Sequence, residues 1–388
     1  MTGVRVAGVG LTEFGVHPER TTRDLFAEAG MAALDDAAIP REDVESILFG
    51  NFMSELSERQ GHTGPLMAES LGLSVPATRV ESACASSGMA ARIAVRQLRA
   101  GEADVVVVGG AERMHNISTA RATEALAIAA DALYEVSAGL TFPSAYALMA
   151  ERYFQEYGGD HEDLAHIAVK NHANAVGNEY AQFQREISVQ EVLEAQPIAS
   201  PLTLLDSCPI TDGAAALVLV SEDYAANTDV SAPVAITGSG QGGDRMALGD
   251  RESIANTPAA TAAAKEAYDD ADRSPEDIDL AEVHDCFTIA EVLAIESLGL
   301  FDTGTGIGAA SNGVTTPEGS MPVNLSGGLK AKGHPVGATG ASQLVEATRL
   351  LRGDHHNADT VPDAEVAVTH NAGGTVASSV VHILEVQP

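Results

Sequence analysis

Lysine is nearly absent from this 388-residue chain: Lys170, Lys265, Lys330 and Lys332 are all it has. With 55 acidic residues against 22 basic ones the formal net charge is -33, a balance that repels nucleic acid and argues against it as a partner. The acids are scattered along apolar-periodic segments and form no tail, so they read as a solvated surface. A halophilic host is the expected cause, because molar salt, with a Debye length of ~3 Å, screens such self-repulsion. Long apolar runs are missing too. Hydrophobic residues make up 45% of the chain, yet no stretch approaches the ~20 uninterrupted apolar residues that cross a bilayer. Met1 to Gly15 lacks the charged-then-apolar order of a signal peptide, so a soluble, cytoplasmic protein without membrane contact is expected. Cysteine is scarce as well: three residues, an odd number, make no disulfide framework and leave free thiols to explain.

What is present is a regular alternation. The chain exceeds the usual size of one core, which suggests two domains or two fused halves. Strand-like runs cover Val4 to Val9, Ser46 to Phe49, Val105 to Val108, Ala215 to Val220, Val234 to Thr237, Val366 to Thr369 and Ser378 to Leu384. Helical patterns fill Thr22 to Ala38, Gly88 to Ala100, Pro258 to Asp270 and Gly340 to Leu351. The alternation predicts an α/β fold with covered sheets. Self-similarity sharpens this. Ala33-Leu34-Asp35-Asp36-Ala37 with Glu42-Asp43-Val44 recurs as Ala267-Tyr268-Asp269-Asp270-Ala271 with Glu276-Asp277-Ile278. The helix from Gly88 to Gly101 is likewise echoed from Gly340 to Gly353. Two halves of one topology are expected, 1–230 and 231–388, with a loop domain inserted in the first at about 114–204. Insertions of that kind commonly cover an active site.

Four places carry candidate chemistry. Cys84 sits where a short strand gives way to small residues and a helix starting near Gly88. A thiol there faces the positive end of a helix dipole, which favours thiolate; the alternative is a small buried hydrophobe. His334 lies in Gly327-Gly328-Leu329-Lys330-Ala331-Lys332-Gly333-His334-Pro335-Val336-Gly337-Ala338-Thr339-Gly340, whose glycines suggest close approach to a ligand or a neighbouring loop. His284-Asp285-Cys286-Phe287 and His370-Asn371-Ala372-Gly373-Gly374 each follow a strand. No metal is expected, since Cys-x-x-Cys and His-Glu-x-x-His spacings are missing. Gly238-Ser239-Gly240-Gln241-Gly242-Gly243 superficially matches a dinucleotide fingerprint, but the segment after it is polar and broken where a helix is required.

Together these loops resemble the thiolase superfamily over essentially the whole chain. Carrying the likeness are the Cys84 elbow, the Gly-His-Pro-Val-Gly-Ala-Thr-Gly run at 333–340, and Asp212-Gly213-Ala214-Ala215-Ala216 before a strand. The His-Asp-Cys-Phe motif at 284–287 resembles the sterol-carrier-type and archaeal acetyl-CoA acetyltransferase branch; biosynthetic bacterial thiolases have Asn-Glu-Ala-Phe there. Where those bacterial enzymes carry Cys-x-Gly in the last loop, this chain has His370 and its neighbours. The resemblance implies two fused βαβαβαββ halves in an α-β-α-β-α arrangement. It also implies Claisen condensation of acyl-CoA thioesters, or the reverse thiolysis, through a Cys84 acyl-enzyme with His334 as its base. His284 and His334 would polarise the thioester oxygen, and Cys286, His284 or His370 would move the α-proton. Coenzyme A thioesters are substrates, with no permanently bound cofactor. Lys330, Lys332 and Gly373 are candidates for coenzyme A contact, a solvated loop being the alternative for the lysines. A homodimer or tetramer is implied, as is a small OB-fold/zinc-ribbon acyl-CoA-binding partner. Rival readings are another condensing enzyme of the same fold and a non-catalytic acyl-CoA or lipid-binding scaffold.

Overall fold

The structure, a computed structural model, describes residues 3–387; Met1, Thr2 and Pro388, at the outer ends of the two expected halves, lie outside the described residues. The first half runs β1 (Val4–Leu11), α1 (Thr22–Ala37), β2 (Ser46–Gly50), α2 (Ser54–Ser57), α3 (Thr63–Ser70), β3 (Ala77–Val80), α4 (Ser86–Arg99) and β4 (Val105–Glu112). Then come α5 (Thr119–Ala127), α6 (Phe142–Tyr157), α7 (His161–Asn174), α8 (Val189–Glu194) and a small hairpin of β5 (Pro197–Ala199) and β6 (Leu202–Thr203). The chain returns to the sheet as β7 (Gly213–Ser221), followed by α9 (Glu222–Asn227). The second half runs β8 (Val234–Gly243), α10 (Pro258–Ala271), β9 (Leu280–Glu282), α11 (Thr288–Ser297), α12 (Gly328–Ala331), α13 (Thr339–Arg352), β10 (Val366–Gly373) and β11 (Ser378–Val386).

Nine strands form one mixed sheet in the order β3-β2-β4-β7-β1-β8-β11-β10-β9. The halves join where Val4 to Val6 of β1 pair antiparallel with Val234 to Ile236 of β8. Helices α4 and α13 lie between the two half-sheets, and their apolar faces share one core with Leu48, Val106, Leu217, Leu280, Ala367 and Leu384. Outside the first half-sheet pack α1 and α3 around Leu25, Phe26 and Met67. Outside the second pack α10 and α11 around Ala263, Ala267 and Ile295. The result is five alternating layers, the arrangement that the resemblance implies.

Glycine facing alanine makes the outer layers thin. A methyl group on Gly10 of β1 would come within 2.1 Å of the Ala29 carbonyl oxygen in α1, and one on Gly240 of β8 within 1.9 Å of the Ala263 oxygen in α10. Gly238, Gly240 and Gly242 therefore belong to a strand that lies flush against its helix and cradle no phosphate. Contacts of this closeness need a missing Cβ on one side and a methyl on the other.

Candidate active site

Cys84 follows β3, two residues before α4. Ala83, just before it, has a left-handed backbone (φ 49), and the Ser86 hydroxyl caps the turn by donating to the Ala83 carbonyl while accepting from Ser82 N–H. Cys84 is thus held by a strained turn between strand and helix. Opposite it stand two histidines from the second half. Atoms of Cys84, His284 and His334 that can bind a proton or metal, the sulfur and one ring nitrogen each, all lie within 4.8 Å of one another. The two imidazoles meet edge to face at 5.1 Å between centroids.

Hydrogen bonds at three places hold this geometry. Segment 207–211 laces the loops together: Cys208 N–H donates to the Cys286 carbonyl at 2.9 Å, and His334 N–H donates to Thr211 Oγ1 at 3.0 Å. Glu112, fully buried at the end of β4, accepts from Asn51 Nδ2 and the amides of Phe52, Met53 and Gly337. Burial pushes that carboxyl up to about 7. Asp285 accepts from the amides of Leu329 and Lys330 and from Asn171 Nδ2, fixing the 284–287 motif to the start of α12. A methyl on Gly340 would come within 2.3 Å of Gly88 N and of Asn371 Oδ1, so the two equivalent helix starts touch beside the site. The glycines of the 327–340 loop serve close approach to neighbouring loops.

Hydrogen-bond chemistry assigns the protons. Thr339 Oγ1 donates to the Pro335 carbonyl at 3.1 Å, so its lone pair receives His334 Nδ1–H at 2.7 Å, leaving Nε2 as the basic nitrogen. Burial holds His334 down to about 3 and pushes the Cys84 thiol up to about 12, with the charge of Glu112 adding to the rise. The amides of Gly374 and of Cys84 itself donate towards the sulfur and oppose that rise, but desolvation outweighs them. The helix-dipole expectation of a preformed thiolate is therefore corrected: the resting pair is neutral thiol and neutral imidazole. Alkylation of Cys84 by iodoacetamide is expected to accelerate about tenfold per pH unit between pH 7 and 9, as thiolate does for a thiol titrating that high. A rate already level at pH 7, followed by peptide mass mapping, would contradict this.

The other sequence candidates separate. Cys286 is buried in an apolar cluster with Tyr146, Phe287 and Leu329. The Tyr146 hydroxyl lies in hydrogen-bonding reach of its sulfur and donates to the Gly374 carbonyl at 3.1 Å. Desolvation, with the nearby Cys208 and Cys84, pushes Cys286 well above the ordinary thiol range. His370 stays outside the group of Cys84, His284 and His334, though near enough to His284 for a charge on it to lower that ring's proton affinity. Alternation along β10 puts Ala367 on the α13 face and Val368 and Ala372 on the α10 face, and His370 shares the latter. Asn371 is the residue of that loop that faces Cys84, which sequence reasoning did not single out. Lys330 and Lys332 are both 2% exposed. Lys330 Nζ meets His172 Nε2 at 3.3 Å, and Lys332 Nζ pairs with Ser342 Oγ at 2.6 Å and Glu346 at 3.2 Å. Buried and engaged, they meet neither a coenzyme phosphate nor solvent, which corrects both readings. Gly373 and Gly374 line a cavity of about 800 Å³ with Phe52, Ala83, Ile128 and Met246.

Comparison with known proteins supplies the family. The profile described as Thiolase, N-terminal domain matches residues 4–223, and Thiolase C-terminal domain-like matches 240–386. The chain belongs to the thiolase family. It is 43% identical over 385 residues to the acetyl-CoA acetyltransferase of Methanothermobacter thermautotrophicus, covering 99% of both chains. Identity to the acetyl-CoA acetyltransferase of Methanocaldococcus jannaschii is 40% over 393 residues, again with 99% of each covered. Among solved structures, a chain of the Ltp2-ChsH2(DUF35) aldolase superposes with a TM-score of 0.85 at 27% identity, over 99% of this chain and 98% of that one. No helix among the described residues is long and apolar enough to cross a membrane.

Proposed function

We propose that this thiolase is an acetyl-CoA C-acyltransferase that joins acetyl-CoA to an acyl group carried on Cys84, or runs the same steps backwards as thiolysis. The observation that carries the reading is the convergence of Cys84 with His284 and His334 from the other half. His334 Nε2 takes the thiol proton as Cys84 Sγ attacks the acyl-CoA carbonyl. The resulting oxyanion is met by the amides of Cys84 and Gly374, which already point at the sulfur. As coenzyme A leaves, Cys286 gives its proton to the coenzyme A thiolate in a thiol-to-thiolate transfer, and the Cys286 thiolate that remains is the base for the next step. That thiolate removes the α-proton of acetyl-CoA while His284 and protonated His334 donate to the enolate oxygen. Attack of the enolate carbon on the acyl-enzyme releases 3-ketoacyl-CoA and returns the His334 proton to Cys84. Coenzyme A enters and leaves as substrate, and no resident cofactor is required by these steps. Labelled coenzyme A exchanging into acyl-CoA without a second acetyl-CoA tests the first half-reaction; no exchange would remove the acyl-enzyme and leave a binding scaffold.

Two further parts of the reading concern surroundings. A homo-oligomer working with a small OB-fold/zinc-ribbon acyl-CoA-binding protein is proposed, supported by a structural neighbour whose name joins it to a DUF35 component. A cytoplasmic setting at high salt is proposed from charge. Of the four lysines only Lys265 is on the surface; Lys170, Lys330 and Lys332 are buried, so the surface is poorer in cations than the net -33 conveys. Thermal melts and activity are expected to fall steeply as salt is diluted from molar to tens of millimolar. Equal stability across that series would sink the halophilic reading.

A further inference from the structure

Asn371 makes two contacts with one amide group. Its Nδ2 donates to the Cys84 carbonyl at 3.0 Å and lies 3.1 Å from His284 Nδ1. A carbonyl oxygen can only accept, so the nitrogen, not the oxygen, of this amide must face Cys84 and His284. His284 Nδ1 then receives a hydrogen bond and carries no proton. In a buried, neutral imidazole the proton is left on Nε2, and that atom has no hydrogen-bond partner among the described residues. Turning the amide over would set its oxygen against the Cys84 carbonyl, two acceptors with no proton between them, while the oxygen as it stands is buried without a partner and favours neither orientation.

The same three side chains could serve a different chemistry. One sulfur and two imidazole nitrogens within 4.8 Å are three ligands of the kind that hold zinc with a fourth position open. His334 meets the requirement, its Nε2 lone pair being free. His284 does not, because zinc needs the lone pair that the Nε2 proton occupies. We infer that Asn371 is a positioning residue that fixes His284 as the Nε2–H tautomer, committing the cluster to donate to a substrate oxygen and withholding it from divalent transition metals. The oxygen-binding half rests on the proposed thiolase chemistry; the tautomer and the metal response do not.

The test uses the resting enzyme labelled with ¹⁵N-histidine, with a His284→Gln sample to identify the His284 signals, and Zn²⁺ titrated in a chelator-buffered competition. Unsubstituted protein is expected to show a protonated Nε2 and an unprotonated Nδ1. In Asn371→Asp the new carboxylate accepts from Nδ1–H, the proton leaves Nε2, and Zn²⁺ binds about ten- to a hundredfold tighter, the usual worth of a carboxylate behind a ligating histidine. Binding then releases the Cys84 proton, seen as acidification in weak buffer. If Asn371→Asp does not fold, Asn371→Ala carries the test, with a mixture of tautomers and a smaller tightening expected. A proton on Nδ1 in the unsubstituted enzyme, or unchanged spectra and zinc affinity in the variants, overturns the inference. Failure of coenzyme A exchange with the Nε2–H tautomer intact would strike the proposed function and leave this assignment standing.

Discussion

Cys84→Ala is expected to form no acyl adduct with acyl-CoA and to lose at least about four orders of magnitude in kcat, while folding as the unsubstituted protein does. Loss of the sulfur removes one atom at the margin of the Met53, Met114, Ala125 and Val336 cluster, worth no more than about 1 kcal/mol of stability. Neither remaining thiol can replace it. Cys208 lies in the lacing segment, and Cys286 is enclosed beside Tyr146 without a histidine base placed as His334 is for Cys84. Intact-mass spectrometry after mixing with acetyl-CoA, beside a thermal melt, checks both halves. An adduct persisting on the variant would take Cys84 out of the mechanism.

The strands and helices around Cys84 were legible because their signals are local. Val105 to Val108 declares itself as a run of β-branched residues and Pro258 to Asp270 by its helical period, and the Ala-Asp repeat near residues 33 and 267 marks the ends of the equivalent helices α1 and α10. Strand order is not local. That β1 and β8 hydrogen-bond across the halves depends on how two cores pack, and nothing within either strand encodes it. Lys330 and Lys332 misled for a related reason: a glycine-rich run with two cations resembles a solvated or phosphate-binding loop, yet α12 is covered by His172 and by Glu346 of α13. Burying a cation is decided by its partners, and those lie over a hundred residues away for Lys330.

The active-site loops show where pattern reading stops. Cys84, His284 and His334 were named from the sequence, and the structure brings them together. Asn371 was one residue from a named candidate, and a one-residue register is what decides which side of a strand a side chain occupies. Counting period two from Ala367 would have put Thr369 and Asn371 on one face and His370 on the other. Tyr146 offered no such signal: it sits in an ordinary amphipathic stretch of α6, and only the packing of that helix on Phe287, with rings 4.8 Å apart, brings its hydroxyl to Cys286. Glu112 could have been noticed as an acid closing an otherwise apolar strand, a placement that requires buried donors.

Cys286→Ala is expected to acylate normally on Cys84 yet lose about 10²- to 10⁴-fold in the exchange of acetyl-CoA methyl protons with deuterium, the range set by a removed acid/base group. Acylation survives because water can protonate the departing coenzyme A thiolate, whereas an α-proton needs a positioned base. His284→Ala should also acylate and also lose exchange, but through the missing donor to the enolate oxygen. The two are separable: a thiol analogue supplied to Cys286→Ala restores a base, and imidazole supplied to His284→Ala restores a donor. His370→Ala should leave exchange within a fewfold of normal, because its ring lies on the α10 face of β10 with both nitrogens unpartnered among the described residues. Burial holds that imidazole down to about 4, so at neutral pH it is uncharged; it is near enough to His284 for a charge on it to bear on that ring but lies outside the group formed by Cys84, His284 and His334. Normal exchange in Cys286→Ala, in His284→Ala and in the double variant, with exchange lost in His370→Ala, would move the α-proton to His370 and require β10 to present its other face to the substrate.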